Sequence, residues 1–261
     1  MLALQHYSLK HSDVLGCGAD GQVISAETLQ GQEVAIKFLF LDTEIQRELF
    51  KREVDFYRLL ENAAVTFPLL EIIASARTAA IVLQKASCDL FGLLESTEEG
   101  FFPVSQAASL FQELCWLVEG LHDCQVAHLD LKPENILVDE QGHLRLCDLG
   151  RAHQWTSSSR EYDGPFNCVG TREYSSPERF REEEFDVAAA DIFSLGVTLH
   201  VMLTGCFPWI TVSGENTTLP ASISLAGPLS VCASELIEWM LFPNPLLRPS
   251  IQQVLSHQWL A

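Results

Sequence analysis

Apolar and polar residues alternate over Gln22 to Glu27 and again over Glu33 to Leu39, with a Gln30-Gly31 turn between, a pattern that predicts a β-hairpin. The period then changes. From Thr43 to Leu60 the apolar residues Ile45, Leu49, Val54, Tyr57 and Leu60 recur at helical spacing among charges, so a helix follows the hairpin. Two more strands are expected at Leu69 to Ser75 and Ala79 to Gln84, before a small polar joint at Lys85 to Cys88. Beyond the joint the pattern is helical, with a long apolar stripe over Val104 to Cys124 and two last helices around Ser234 to Phe242 and Ile251 to Leu260. Val187 to Ile210 is apolar enough to suggest a membrane span, but Asp191, His200 and Pro208 interrupt it, so a buried central helix is predicted instead. Arg151 to Phe185 reads as loop-rich, and Thr211 to Ser230, rich in Ser, Thr, Gly and Pro, as an irregular loop. The joint divides an α+β chain into a β-rich part, 1–86, and a mainly helical part, 87–261.

Composition narrows the function classes. With 16 basic against 35 acidic residues the formal charge is −19, the wrong sign for a nucleic-acid binder and the right one for basic partners. Eight cysteines are scattered singly with no CxxC pair, so reduced thiols are expected rather than a disulfide or zinc framework. Met1 to Lys10 contains no apolar secretory core, which points to a cytoplasmic location, with the nucleus left open, and no membrane association.

Four motifs carry the chemistry. Gly16, Gly18, Gly21 and Val23 spell GxGxxGxV. Dinucleotide-binding folds use a similar glycine spacing, but there the glycines open a helix, whereas Gly21 leads into a hairpin strand. A backbone that must approach phosphates closely calls for glycine in either case. Val34-Ala35-Ile36-Lys37 follows on the next strand, and alternation puts Ala35 and Lys37 on one face. Farther on comes His128-Leu129-Asp130-Leu131-Lys132-Pro133-Glu134-Asn135, and thirteen positions after Asn135 stands Asp148-Leu149-Gly150. Together these two runs hold carboxylates, an ammonium and an amide, the set that phosphoryl transfer from a magnesium nucleotide needs.

In this order and spacing the runs resemble the catalytic and metal-binding loops of eukaryotic-type protein kinases, and the resemblance extends from Val14 to Leu260. Lys132-Pro133-Glu134-Asn135 and Gly170-Thr171-Arg172-Glu173-Tyr174 are similar to the serine/threonine branch. The family implies a bilobal fold, with a small β-rich N-lobe bearing one helix and a larger, mainly helical C-lobe. It implies ATP and Mg²⁺ as cofactors, and protein substrates with Ser or Thr acceptors. Lys37 would hold the α- and β-phosphates, oriented by Glu53; Glu48 stays the alternative, because five helical positions rotate a side chain by about 140° and only one of the two can face inward. Asp130 would accept or orient the proton of the incoming hydroxyl, Lys132 would neutralise the γ-phosphate, and Thr171 would hydrogen-bond both. Asn135 and Asp148 would hold Mg²⁺ through hard oxygen atoms. Val23, Ala35 and Leu137 would enclose adenine, with Leu83 at the back and the backbone of Gln84 to Ala86 hydrogen-bonding it. Glu178 of Ser176-Pro177-Glu178 would pair with Arg248, and Asp191 would brace the catalytic loop.

Leu129 departs from the family pattern, in which regulated members carry an Arg that receives a phosphorylated activation-loop residue. Activity without loop phosphorylation is therefore expected, with Ser157, Ser158, Ser159 and Tyr162 as candidate phosphosites. Leu129 also keeps a second reading open, a pseudokinase scaffold that binds nucleotide without efficient transfer. Leu149 replaces the usual Phe of the metal-binding triplet, a mild change. Asp89 and Glu134 match positions that contact an arginine in kinases preferring basic residues upstream of the target, in keeping with the charge of −19.

Overall fold

A computed structural model gives the structure of the protein over residues 4–18, 21–156, 162, 171–180, 184–208 and 229–261. Ser157, Ser158, Ser159, Gly170 and the expected irregular segment from Thr211 up to position 228 lie outside the described residues. The chain forms two compact units, Met1–Ser87 with Val138–Gly150, and Cys88–Leu137 with Arg151–Ala261. This differs from a single division at 86, because the segment 138–150 is bonded into the first unit. The Ser87 N–H donates to the Val138 carbonyl and the Leu146 N–H to the Val65 carbonyl, each at 2.8 Å, and Thr66 bridges Leu146.

The first unit is built on one antiparallel sheet of β1 (Tyr7–Gly18), β2 (Gly21–Thr28), β3 (Glu33–Phe40), β4 (Leu69–Ala74) and β5 (Thr78–Gln84), in the order β1-β2-β3-β5-β4. Val34 and Ile36 of β3 point into a core with Ala26, Ile73, Ala80 and Val82, which turns Ala35 and Lys37 to the opposite face. The helix α1 (Glu44–Leu59) lies between its expected bounds, Thr43 and Leu60, which are its two caps. Thr43 and Gln46 form a capping box, and Glu53, Val54, Phe56 and Tyr57 make the buried face. β1 is longer than any strand read from the sequence and takes in Gly16 and Gly18. Its pairing with β2 shifts register between Leu9 and Val14 and again between Val14 and Gly16, which breaks the alternation that would have announced it.

The second unit packs α2 (Leu90–Glu95), α3 (Val104–Asp123), α4 (Val187–Thr204), α5 (Val231–Met240) and α6 (Ile251–Leu255). α4 is its central helix: by length and composition it could cross a membrane, yet 89% of that stretch is buried inside the unit. Gly196 lets α5 approach, since a Cβ there would sit 2.9 Å from Leu241 Cδ2 and 3.0 Å from Met240 Cβ. α4 stops at Thr204 and not at Ile210, because Gly205 caps it in a left-handed conformation, φ 69°, where a Cβ would lie 2.7 Å from the Gly100 carbonyl oxygen. The last helix likewise ends at Leu255 rather than Leu260, and α5 begins at Val231 because the Ser230 hydroxyl caps the Ala233 N–H.

Candidate active site

The first unit gathers three charged side chains. Lys37 Nζ donates to Glu53 Oε1 at 2.7 Å and to Asp148 Oδ1 at 2.8 Å. The Glu53 side chain is 2% exposed while Glu48 is exposed, so the helix settles its own alternative in favour of Glu53. Burial works to lower the Lys37 pKa, but the carboxylates of Glu53 and Asp148 outweigh it and hold the ammonium well above the ordinary 10.5. For a base raised in the folded state, the stability it contributes is full below its ordinary pKa and is lost only as pH climbs through the raised value. Stability contributed by this cluster is therefore expected to hold through neutral and mildly alkaline pH. Glu53→Gln removes one anion and leaves Asp148, so it is expected to cost about 2 kcal/mol, less than the roughly 3–5 kcal/mol of a fully orphaned buried charge, as read by denaturant unfolding.

Asp148 reaches Lys37 from a left-handed backbone, φ 60°, between the strand Leu144–Leu146 and a short 3-10 turn, Leu149–Arg151. A non-glycine residue keeps that conformation only where its surroundings impose it. Gly18 pairs with Gly21 at the end of the hairpin, and a Cβ on Gly21 would fall 1.8 Å from the Phe38 carbonyl oxygen, so no other residue fits there. Gly16 is different: a Cβ would meet nothing within 4 Å. Val23 pairs with Lys37, and Ala35 pairs with Leu83. Leu83, Gln84 and Ala86 are half-buried at the end of β5 and in the joint that follows.

The second unit holds the remaining residues. Asp191, buried in α4, accepts the N–H of His128 at 2.8 Å and of Leu129 at 2.9 Å, and His122 Nε2 lies 3.1 Å from the same carboxylate. With the loop so braced, Asp130 Oδ1 accepts the Thr171 N–H at 2.8 Å and Oδ2 accepts Asn135 Nδ2 at 3.0 Å. Lys132 Nζ donates to Thr171 Oγ1 at 2.6 Å and stands 3.6 Å from Asp130 Oδ2. Thr171 thus meets both partners expected of it, but reaches Asp130 through its backbone N–H and Lys132 through its hydroxyl. Asn135 commits its amide nitrogen to Asp130, including the backbone carbonyl at 2.8 Å, which leaves Oδ1 as its atom for a cation. Leu137 is half-buried in this unit.

Behind this loop Arg248 donates to both Glu178 oxygens, at 2.6 and 2.8 Å. Leu129 lies in an apolar cluster with Trp155, Tyr162, Phe185 and Val187. Tyr162 is 8% exposed, its ring stacked on Phe185 at 5.2 Å, so it is not available to a modifying enzyme as expected for a loop phosphosite. Two residues that contact this loop or its brace belong to no sequence motif: His122, beside the Asp191 carboxylate, and Arg179, whose Nη1 donates to the Leu129 carbonyl oxygen at 2.7 Å.

Residues 9–260 match the family model described as protein kinase domain. The chain belongs to the protein kinase domain family. The carbon catabolite-derepressing protein kinase of Candida tropicalis is 30% identical to it over 259 residues, covering 94% of this chain and 40% of that protein. CBL-interacting serine/threonine-protein kinase 17 of Arabidopsis thaliana is 32% identical over 261 residues, covering 94% of this chain and 58% of that protein. Serine/threonine protein kinase OSK3 of Oryza sativa subsp. japonica is 31% identical over 274 residues, covering 98% and 50%. The kinase domain thus spans between 40% and 58% of the length of these curated relatives. The second and third are serine/threonine protein kinases by name, the branch that Lys132 to Asn135 resembles. Within the domain, Leu149 is fully buried, so the apolar character of the middle position of Asp148-Leu149-Gly150 is kept despite the exchange.

Proposed function

We propose that the chain is an active serine/threonine protein kinase, transferring the γ-phosphoryl group of ATP to Ser and Thr hydroxyls of protein substrates. The observation that carries this reading is the arrangement around Asp130. Its carboxylate is aimed by two N–H donors from Thr171 and Asn135, with the Lys132 ammonium beside it. A scaffold without transfer would have no need for that orientation. Asp130 accepts the proton of the incoming hydroxyl, and Lys132 offsets phosphate charge, both held in place by Thr171.

The residues present fit the cofactors. Asp148 and Asn135 offer a carboxylate and an amide oxygen, the hard donors that Mg²⁺ takes. Gly16 has room where a side chain would stand, so packing does not call for glycine there, whereas close approach of a phosphate does. When bound, ATP supplies the transferable phosphoryl group and Mg²⁺ offsets its charge. Lys37 holds phosphate oxygens, and Glu53 fixes where its ammonium stands.

Two finer features belong to the proposal, together with a cytoplasmic location. Activity does not depend on activation-loop phosphorylation, since the side chain at 129 is apolar and lies in a buried cluster that includes Trp155 and Phe185. Substrates carry a basic residue near the third position before the acceptor, facing the exposed carboxylate of Glu134; Asp89 is already tied as the cap of α2, accepting the Gly92 N–H at 2.7 Å. One experiment addresses both, a peptide array phosphorylated by phosphatase-treated protein. The treated chain is expected to keep its rate within about twofold. Arginine upstream is expected to raise phosphorylation by up to about fivefold, the size an exposed ion pair supports. An inert treated protein that regains activity on incubation with ATP contradicts the first feature, and an array without basic preference the second.

A further inference from the structure

Arg179 places a cation beneath the backbone of the catalytic loop. It follows Glu178 in the short turn Pro177–Phe180 and is 4% exposed. A guanidinium so deeply buried is costly unless its donors are used. Its Nη1 donates to the Leu129 carbonyl oxygen at 2.7 Å and lies 3.5 Å from Ser175 Oγ. That carbonyl belongs to the peptide plane leading into Asp130, while the N–H on the other side of Leu129 is taken by Asp191 at 2.9 Å. Leu129 is thus held at both of its peptide groups, in a left-handed conformation, φ 60°, that leucine adopts only when its surroundings impose it.

We propose that Arg179 is a positioning residue for Asp130: its bond to the Leu129 carbonyl fixes the tilt of the peptide preceding Asp130, and with it the aim of the carboxylate. The neighbouring Glu178 is locked to Arg248 at 2.6 and 2.8 Å, so the turn that carries Arg179 is itself anchored in the interior. The loop is therefore clamped by a cation within the same unit acting on a neutral carbonyl, with no phosphate involved. Planar geometry suits the guanidinium to this, and a lysine would supply a donor without the same directional hold.

The inference rests on the kinase reading above, and its test separates the two. The full chain is compared with Arg179→Met and Arg179→Lys in steady-state transfer to a Ser peptide, alongside hydrogen exchange over 128–135. The Met variant is expected to lose about 30-fold in kcat with KM for ATP within about twofold, the pattern of misaimed chemistry rather than weakened binding. The Lys variant is expected to lose only about threefold. Both variants are expected to exchange faster over 128–135. Parental kcat and exchange in both variants overturn the proposal, as does a rise in KM for ATP that accounts for the whole loss. Should the Met variant fail to fold, the Lys variant decides: a kcat loss at unchanged KM supports the clamp, and parental kcat overturns it. Should the parent transfer no phosphate, the kinase reading fails, and exchange over 128–135 alone decides whether Arg179 holds the loop.

Discussion

Asp130→Asn is expected to lower kcat about a thousandfold while leaving nucleotide affinity within about twofold. The two side chains have the same shape, and an asparagine oxygen can still accept the Thr171 N–H that now reaches Asp130 Oδ1 at 2.8 Å. What is lost is an atom able to take the proton of a hydroxyl. On the other side the new amide nitrogen would meet Asn135 Nδ2, a donor facing a donor across the present 3.0 Å, so local rearrangement adds to the chemical loss. Affinity is spared because Lys37 and the glycines of the β1–β2 hairpin, to which the phosphates are assigned, are untouched. Single-turnover transfer and a nucleotide titration on the same protein separate the two effects. An unchanged transfer rate overturns the assignment of Asp130 as the base.

Arg248→Met is expected to be the most destabilising single change, at about 3–5 kcal/mol, because it leaves the Glu178 carboxylate buried without its partner. The Arg248 side chain is 0% exposed; besides Glu178 it donates to the carbonyls of Phe242 at 2.8 Å and Ala189 at 2.9 Å and lies over the Phe193 ring at 5.0 Å. For a chain of this size the thermal midpoint should fall by about 10 °C. Replacing both partners, with Glu178→Leu added to Arg248→Met, should recover much of the loss, since an apolar pair of similar volume leaves no charge behind. A double variant no more stable than the single one would show that the carbonyl contacts, not the ion pair, dominate.

How much of this was legible in the sequence depends on the reach of each interaction. α1 was readable to its caps because Thr43, Gln46 and the apolar stripe all act within a few residues of one another. Lys37 and Glu53 were readable only through the family pattern, since sixteen positions of chain separate them and nothing local pairs them. β1 was not readable, as two register shifts and the polar run Lys10 to Asp13 erase its alternation. The end of α4 at Gly205 is masked in the sequence by the apolar residues that follow, Phe207 and Trp209, which extend the hydrophobic run past a single glycine. The interruption of the second unit by 138–150 depends on backbone bonds to Val65 and Ser87, and backbone groups are the same at every position. Arg179 is the clearest case. A carbonyl fifty positions away has no signature in composition or spacing, so only the folded structure reveals the contact.

The proposed transfer of phosphate to Ser and Thr hydroxyls of proteins is tested most directly by incubating the chain with γ-labelled ATP and a mixed panel of Ser, Thr and Tyr peptides and small metabolites, with and without Mg²⁺. Label is expected on Ser and Thr, none on Tyr or on metabolites, and none when Mg²⁺ is chelated. Nucleotide binding without any transferred label would contradict it and leave a scaffold in its place; label confined to metabolites would contradict it in favour of a small-molecule kinase.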